Sequence, residues 1–498
     1  MKRNPVLYEI STRPWLYELS KKYSKKISKI KEIPLEEFDE IKTYGIDYIW
    51  MMGVWKLGKI GLELDQKVDY SSILPDFKKE DIIGSPFAIT EYECNPEIGT
   101  DEDLLWLKMK LNEKNLKLIL DFVPNHSAID SIFTKSNPEY YIRENSENLL
   151  NNKYYTNDGF YYGKDPYFDP WPDVIQFNYF NEKTAEFMKN NLIKILKLCD
   201  GVRCDMAHLI LNEIFYKTWK DKLEKLNYKN FPQNEFWANL KEIKQNFPDK
   251  IFLAEVYEEY LIEKLYNLGF DYCYNKELLD KLTLGPNEVN NYIHYKNEKF
   301  FNHVAHFIEN HDENRAIFTY KNIDKSNCAG CIAATLGGMI FINHNQFKGF
   351  KNKLDVHLIR ASDENENEIC VKFYKKLMEI IKDDAFRSQN YYYVYNVNGN
   401  DSWKLISYLR KDINSYLIVV NYTNENACAN VPIYDVKGNG DVKILEMFSG
   451  IEYIRNADSM RLQGLTVVLK PFQPQIFKYN YINKIYNFLL LIYIKNSI

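Results

Sequence analysis

Eight short apolar runs, spread over the first 345 residues and separated by amphipathic or polar stretches, limit the folds open to this chain more than any other feature. They are VLYEIS (6–11), IDYIWMM (46–52), LKLILDFV (116–123), CDGVRCD (199–205), IFLAEVY (251–257), GFDYCY (269–274), HVAHFIEN (303–310) and GGMIFIN (337–343). Between them lie helix-like segments. In TDEDLLWLKMKLNEKN (100–115), Thr100 and Asp103 stand at capping-box spacing, and EKTAEFMKNNLIKILKLC (182–199) carries an apolar stripe at helical spacing. Buried strands alternating with helices predict an α/β chain built on a (β/α)8 TIM barrel, whose active site would lie at the C-terminal strand ends.

The 498 residues leave room for additions to such a barrel. Between the third and fourth runs, residues 127–178 are rich in Asn, Tyr, Asp and Pro and read as a small loop-rich excursion over the barrel top. After about residue 386 the pattern turns to alternating strands, SWKLISYLR, SYLIVVNYT, DVKILEMF and LTVVLK, which predict a C-terminal antiparallel β-sandwich. The expected layout is barrel over 1–126 and 179–385, excursion over 127–178, sandwich over 386–479, and a tail over 480–498 with no function assigned.

Several classes recede on charge and pattern. A net charge of −5 offers no basic field for nucleic acid. The apolar run in the tail is far too short to span a bilayer, so no membrane partner is expected. MKRNPVLYEISTRP lacks the apolar stretch of a secretory signal, which predicts a cytoplasmic protein. The eight cysteines form no framework and read as reduced, mostly buried thiols; CAGC (328–331) sits in a helix-like segment with no second Cys/His pair at metal spacing.

Chemistry concentrates at the ends of four runs: DFVPNH (121–126), GVRCD (201–205), AEV (254–256) and ENHDENR (309–315). If 200–205 is extended, Arg203 and Asp205 point to one face and Val202 and Cys204 to the other. A buried charge needs a partner, so that face should hold partners or a ligand. Each pair alone has an ordinary structural explanation. Four in order, all at strand C-termini of one barrel, call for a shared ligand.

These motifs resemble the α-amylase superfamily of glycoside hydrolases and transglycosylases. LILDFVPNH, GVRCD, FLAEV and FIENHD match its four short conserved regions in order, while GIDYIWMMGVW and WPDVIQFN resemble two supporting ones. Retaining cleavage of a glycosidic bond needs one carboxylate as nucleophile and a second carboxyl, about 5 Å away, as acid and then base. The resemblance implies Asp205 as nucleophile, Glu255 as acid/base and Asp312 as the third carboxylate, with Arg203 holding Asp205 ionised and oriented. It further implies His126 and His311 as sugar-binding histidines and Asp121 as a supporting group. Phe87, in SPFAITEY, falls where many relatives place a Tyr that stacks on the sugar; a core position beneath the loop is the other reading.

No cofactor is expected for the chemistry. Asn125 matches a calcium ligand of many relatives, the sequence places no others, and the metal set is therefore unknown. His208 and Leu209 stand where secreted amylases often carry a Lys-His pair, and Lys348 where some relatives carry an acid, which leaves the acceptor side undefined. The expected function is α-amylase-like hydrolysis of α-1,4 bonds in maltodextrin or glycogen-type glucans. An intracellular glucanotransferase or maltosyltransferase is the alternative, and an inactive carbohydrate-binding homologue a lesser one. The expected partner is an α-glucan or maltooligosaccharide; linkage preference and oligomeric state are not specified by these motifs.

Overall fold

The computed structural model describes residues 3–144, 153–228, 231–388, 392–394 and 397–481; the tail beyond Tyr481 lies outside the described residues. All eight apolar runs form strands, and the eight close into one parallel barrel in sequence order. Numbering the barrel strands alone, these are β1 (Val6–Ser11), β2 (Tyr48–Met52), β3 (Lys117–Phe122) and β4 (Gly201–Cys204). β5 (Ile251–Ala254), β6 (Tyr272–Tyr274), β7 (Val304–His306) and β8 (Met339–Asn343) complete the ring, and β8 pairs with β1. Most are shorter than the apolar runs that announce them: β3, β4, β5 and β7 end before their runs do, the last residues turning to the barrel mouth, whereas β2, β6 and β8 begin later than theirs. Register sets neighbours there: Asp121 of β3 pairs across from Arg203 of β4, which pairs in turn with Leu253 of β5. At the foot of β4 a side chain at Gly201 would lie 2.7 Å from the Ile251 carbonyl oxygen, so only glycine lets the two strands approach.

The helices obey the local signals. Thr100 Oγ1 accepts from Asp103 N at 3.3 Å and Asp103 Oδ2 from Thr100 N at 3.0 Å, closing the capping box of helix Asp101–Glu113. Helix Glu182–Leu198 starts at the Asn181 side-chain cap and buries Met188, Leu192, Ile195 and Leu196 against the barrel. Cys328 and Cys331 lie in helix Ile323–Thr335, fully buried, and burial raises both thiols far above their ordinary range. They are core residues. Seven of the eight cysteines are buried and Cys428 is exposed.

After β3 the chain builds a three-stranded sheet, with Trp171–Gln176 between His126–Ala128 and Tyr162–Gly163. A second interruption was not expected from the sequence. After β2, residues 53–99 form a hairpin, Trp55–Leu57 with Ile89–Cys94, and a helix, Lys59–Asp65. It is stapled to the loop after β8 by Arg360, which pairs with Asp76 at 3.0 Å and Asp81 at 2.8 Å. Both loops thereby form one wall of the barrel mouth.

The C-terminal residues form a six-stranded antiparallel sheet and a two-stranded one, Ala427–Val431 with Leu465–Leu469. Strand Leu405–Lys411 alternates as a pleat requires. Leu405 and Leu409 enter the core between the two sheets, while Ile406 and Tyr408 face the barrel core, where the Tyr408 hydroxyl meets Thr335 Oγ1 at 2.6 Å. Strands Tyr392–Val394, Ala427–Val431, Glu452–Asn456 and Pro474–Tyr481 were not expected from the sequence. Among the described residues no helix is long and apolar enough to cross a membrane.

Candidate active site

Alternation along β4 puts Arg203 and Asp205 on the inner face, as the pleat predicts, with Val202 and Cys204 packed on the outer one. The Arg203 guanidinium is wholly buried. Its Nη1 donates to Asp205 Oδ1 at 2.6 Å and lies 3.7 Å from Asp121 Oδ1, while its Nη2 lies 2.7 Å from Glu255 Oε1. The rings of Trp50 and Phe87 lie 4.9 and 5.1 Å from the guanidinium carbon. With the Tyr274 ring at 5.9 Å, the cation is thus enclosed by three carboxylates and three aromatic rings. Burial opposes its charge, and the surrounding anionic groups outweigh it, raising its proton affinity above the ordinary value.

Asp121 sits beneath. Its oxygens accept from Trp50 Nε1 at 3.1 Å and Gly53 N at 3.2 Å, and burial raises it to about 6 against the pull of Arg203. Burial likewise raises the Asp205 carboxyl, with Arg203 opposing and the neighbouring Glu255 reinforcing. Just past Asp205, Met206 takes a left-handed conformation, φ 40°, which is uncommon for a side chain with a Cβ. The turn delivers the Met206 N–H to Glu255 Oε2 at 2.8 Å. Glu255 itself follows directly on β5 and is 1 % exposed.

Asp312 opens into the cleft from the loop after β7. His311 beside it is buried, with Nδ1 2.6 Å from Glu9 Oε1 on β1 and Nε2 3.1 Å from Asp312 Oδ2. Burial opposes a charge on His311, but Asp312 and Glu9 on its two sides outweigh it and raise its proton affinity well above the usual value. Desolvation would raise Asp312, and the adjacent imidazolium overcomes this, holding its carboxyl below the ordinary carboxylate range. His126 is different: burial alone lowers it to about 3, so its ring is neutral, edge-on to Trp171 at 5.4 Å.

These groups meet in a cleft of about 330 Å³ at the C-terminal end of the barrel. Phe87, His126, Asp205, Glu255 and Asp312 line it, and Arg203 and His311 lie directly beneath. Larger hollows of about 560 and 510 Å³ exist elsewhere, but none of the three carboxylates lines either. Phe87 is half-buried, lining the cleft with one side and packing against the barrel core with the other. Four contributors were missed. Trp171 comes from the excursion sheet and His357 from the loop after β8. Glu9 is hidden within an apolar strand, and Tyr257 stands two residues beyond Glu255. Tyr257 stood at the end of the AEV segment and Trp171 at the start of WPDVIQFN, whereas Glu9 and His357 carried no local signal. His208 is buried with Nε2 3.1 Å from Glu258 Oε2, on the side where the sequence left the acceptor undefined.

Asn125 does not present a calcium site. Its Oδ1 accepts from Gln176 Nε2 at 2.9 Å, and the same amide donates to the carbonyl oxygens of Asn125 at 2.8 Å and Phe177 at 3.2 Å. An amide donor stands where a cation would have to be, and calcium needs about six to eight oxygens pointing inward. Among the described residues the one cluster of acid, His or Cys atoms within metal-binding reach is Glu255, His311 and Asp312, in the cleft itself.

Comparison with known proteins adds a family. A model of the alpha-amylase catalytic domain matches residues 35–401. Alpha-amylase 3 of Dictyoglomus thermophilum is 31 % identical over 298 residues, 54 % of this chain and 54 % of that protein. Alpha-amylase 2 of the same organism is 22 % identical over 375 residues, 70 % of this chain and 57 % of its own length. The chain spans a little over half the length of these curated relatives. A maltogenic alpha-amylase structure from Thermotoga neapolitana superposes with a TM-score of 0.68 at 20 % identity, covering 96 % of this chain and 99 % of that one. An acarbose-complexed alpha-amylase from Geobacillus thermoleovorans gives 0.67 at 16 % identity, covering 96 % and 98 %. At such identities the two structures speak for the fold.

Proposed function

Because the chain belongs to the alpha-amylase catalytic-domain family, we propose that it is a retaining glycoside hydrolase that cleaves α-1,4 bonds of maltodextrin or glycogen-type glucans through a covalent glycosyl-enzyme. One observation carries this reading: Asp205 and Glu255 stand 2.6 and 2.7 Å from two nitrogens of one guanidinium. Inverting enzymes keep their carboxyls about 6.5–9.5 Å apart to admit a water, retaining ones about 5–5.5 Å. Two carboxylates gathered on one planar fork favour the shorter spacing.

In this mechanism Asp205 attacks the anomeric carbon as the bond to the leaving oxygen breaks, and Glu255 gives that oxygen its proton. Water then enters, Glu255 takes its proton, and the new C–O bond displaces Asp205. Arg203, 2.6 Å from Asp205, opposes the burial that favours a proton on that carboxyl and so supports its ionised, nucleophilic form. Asp312 grips sugar hydroxyls more strongly in the distorted, positively charged transition state than in the relaxed substrate. Neutral His126 supplies a hydrogen bond to the same ring and Phe87 a flat apolar surface beneath it, while cationic His311, with its nitrogens turned to Glu9 and Asp312, holds Asp312 ionised rather than touching the sugar. The substrate is an α-glucan or maltooligosaccharide, and no step runs through a metal.

The test is a product analysis from a single maltooligosaccharide. Shorter chains alone, released with retained anomeric configuration by proton NMR, are expected. Longer chains appearing beside the shorter ones would replace hydrolysis with transfer to a sugar acceptor. Asp205→Asn should abolish turnover with the thermal midpoint nearly unmoved; sustained activity would remove Asp205 from the nucleophile's role.

A further inference from the structure

Resting on the acid role of Glu255 given above, we propose that Tyr257 is a positioning residue whose hydroxyl links the Glu255 carboxyl to Asp312 and governs when Glu255 holds its proton. The Tyr257 oxygen lies 3.0 Å from Glu255 Oε1 and 3.3 Å from Asp312 Oδ2. A phenol has one proton to give, so it serves one of these carboxylates at a time. Burial and the two carboxylates together raise the Tyr257 phenol well above its ordinary value, which keeps it a donor.

The choice between the two acceptors follows from what else surrounds them. Glu255 Oε2 is committed to the Met206 N–H, which leaves Oε1 facing Arg203 Nη2 and the Tyr257 hydroxyl. Asp205 lies across the guanidinium, the Tyr274 hydroxyl accepts from Arg203 Nε at 3.4 Å, and the His208 ring stands 6.4 Å from that of Tyr257. When Glu255 is ionised, the hydroxyl donates to it. When Glu255 is protonated, the hydroxyl is released to Asp312, which His311 keeps ionised and Glu9 backs from behind. The state of the acid is thereby tied to the carboxylate that grips the sugar.

Tyr257→Phe removes the oxygen and keeps the ring. Losing a donor to the ionised carboxylate favours the proton on Glu255, so the alkaline limb of kcat/KM should move upward by about one pH unit, roughly one hydrogen bond's effect. Turnover of maltooligosaccharide should fall about tenfold, and that of an aryl glycoside with an activated leaving group far less, with KM changed little. An unmoved alkaline limb, or equal losses on both substrates, would overturn the inference. Glu255→Gln separates the two levels of the argument. If that variant retains full activity, the acid role itself fails and this proposal with it. If it is inactive while Tyr257→Phe keeps the wild-type pH profile, only the positioning role fails.

Discussion

Burial raises the proton affinity of the site's carboxylates, and Arg203 restrains it. One buried cation faces Asp121, Asp205 and Glu255, and leaving a surplus of buried negative charge costs several kcal/mol per ion. Asp121 and Asp205 accordingly hold a proton more readily than free carboxyls do. On the other side of the cleft His311 is a cation between Glu9 and Asp312. Its folded-state proton affinity is raised, so its contribution to stability is complete below the unfolded pKa of about 6.5 and is lost as pH rises through the higher folded value. Glu9→Gln withdraws one of the two anions and lowers that folded value. The variant should be less stable by about 1–3 kcal/mol near neutrality, and its thermal midpoint should begin to fall at lower pH than the wild type's in a series from pH 6 to 10. Parallel curves would mean that Glu9 does not set the charge of His311. Glu9 could not be found in VLYEIS, because nothing local distinguishes a strand carboxylate with a distant partner from one turned outward.

At the level of elements, the strand ends were legible and their coverings were not. Apolar runs of the right length mark buried strands whatever lies outside, so β1 to β8 could be read directly. The hairpin and helix over residues 53–99 could not, because this segment is held by Arg360, nearly three hundred residues away in sequence, and has no periodicity of its own. The excursion sheet depends on a similarly concealed contact. Gln176, wholly buried, donates to three oxygens and joins strand Trp171–Gln176 to the turn after β3 that carries His126. Gln176→Leu leaves those oxygens without their donor, at about 1–3 kcal/mol, and should lower both the thermal midpoint and substrate affinity. Since an amide occupies the position open to a cation, chelation should leave the wild-type midpoint unmoved in differential scanning calorimetry. A midpoint that falls with chelator and recovers with calcium would contradict the amide's role.

Across the whole molecule, the C-terminal sheet is fastened to the barrel by groups with no pattern in sequence. Arg410 is fully buried and donates to the carbonyls of Leu336, Ala385 and Ser388. A side chain at Gly337 would lie 2.9 Å from its guanidinium, and Gly337 has φ 109°, so both space and backbone demand glycine there. Arg410→Met leaves buried carbonyls unpaired and should cost about 2–4 kcal/mol. Calorimetry should then resolve separate transitions for barrel and sheet where the wild type unfolds in one. A single transition at the wild-type midpoint would mean that this contact does not couple them.

Sequence alone determined the barrel, the order of its strands and the residue types at four strand ends, since burial and pleat alternation act over a few residues and leave their period in the chain. By family resemblance it also pointed to Phe87, His126, Arg203, Asp205, Glu255, His311 and Asp312, which lie in or directly beneath one cleft. Tertiary structure alone decided which charges face one buried cation, that Glu9 and Tyr257 stand beside them, and that an amide stands beside Asn125. Those outcomes depend on distances between side chains from different strands, and electrostatic and hydrogen-bond energies follow such distances with no regard for separation along the chain.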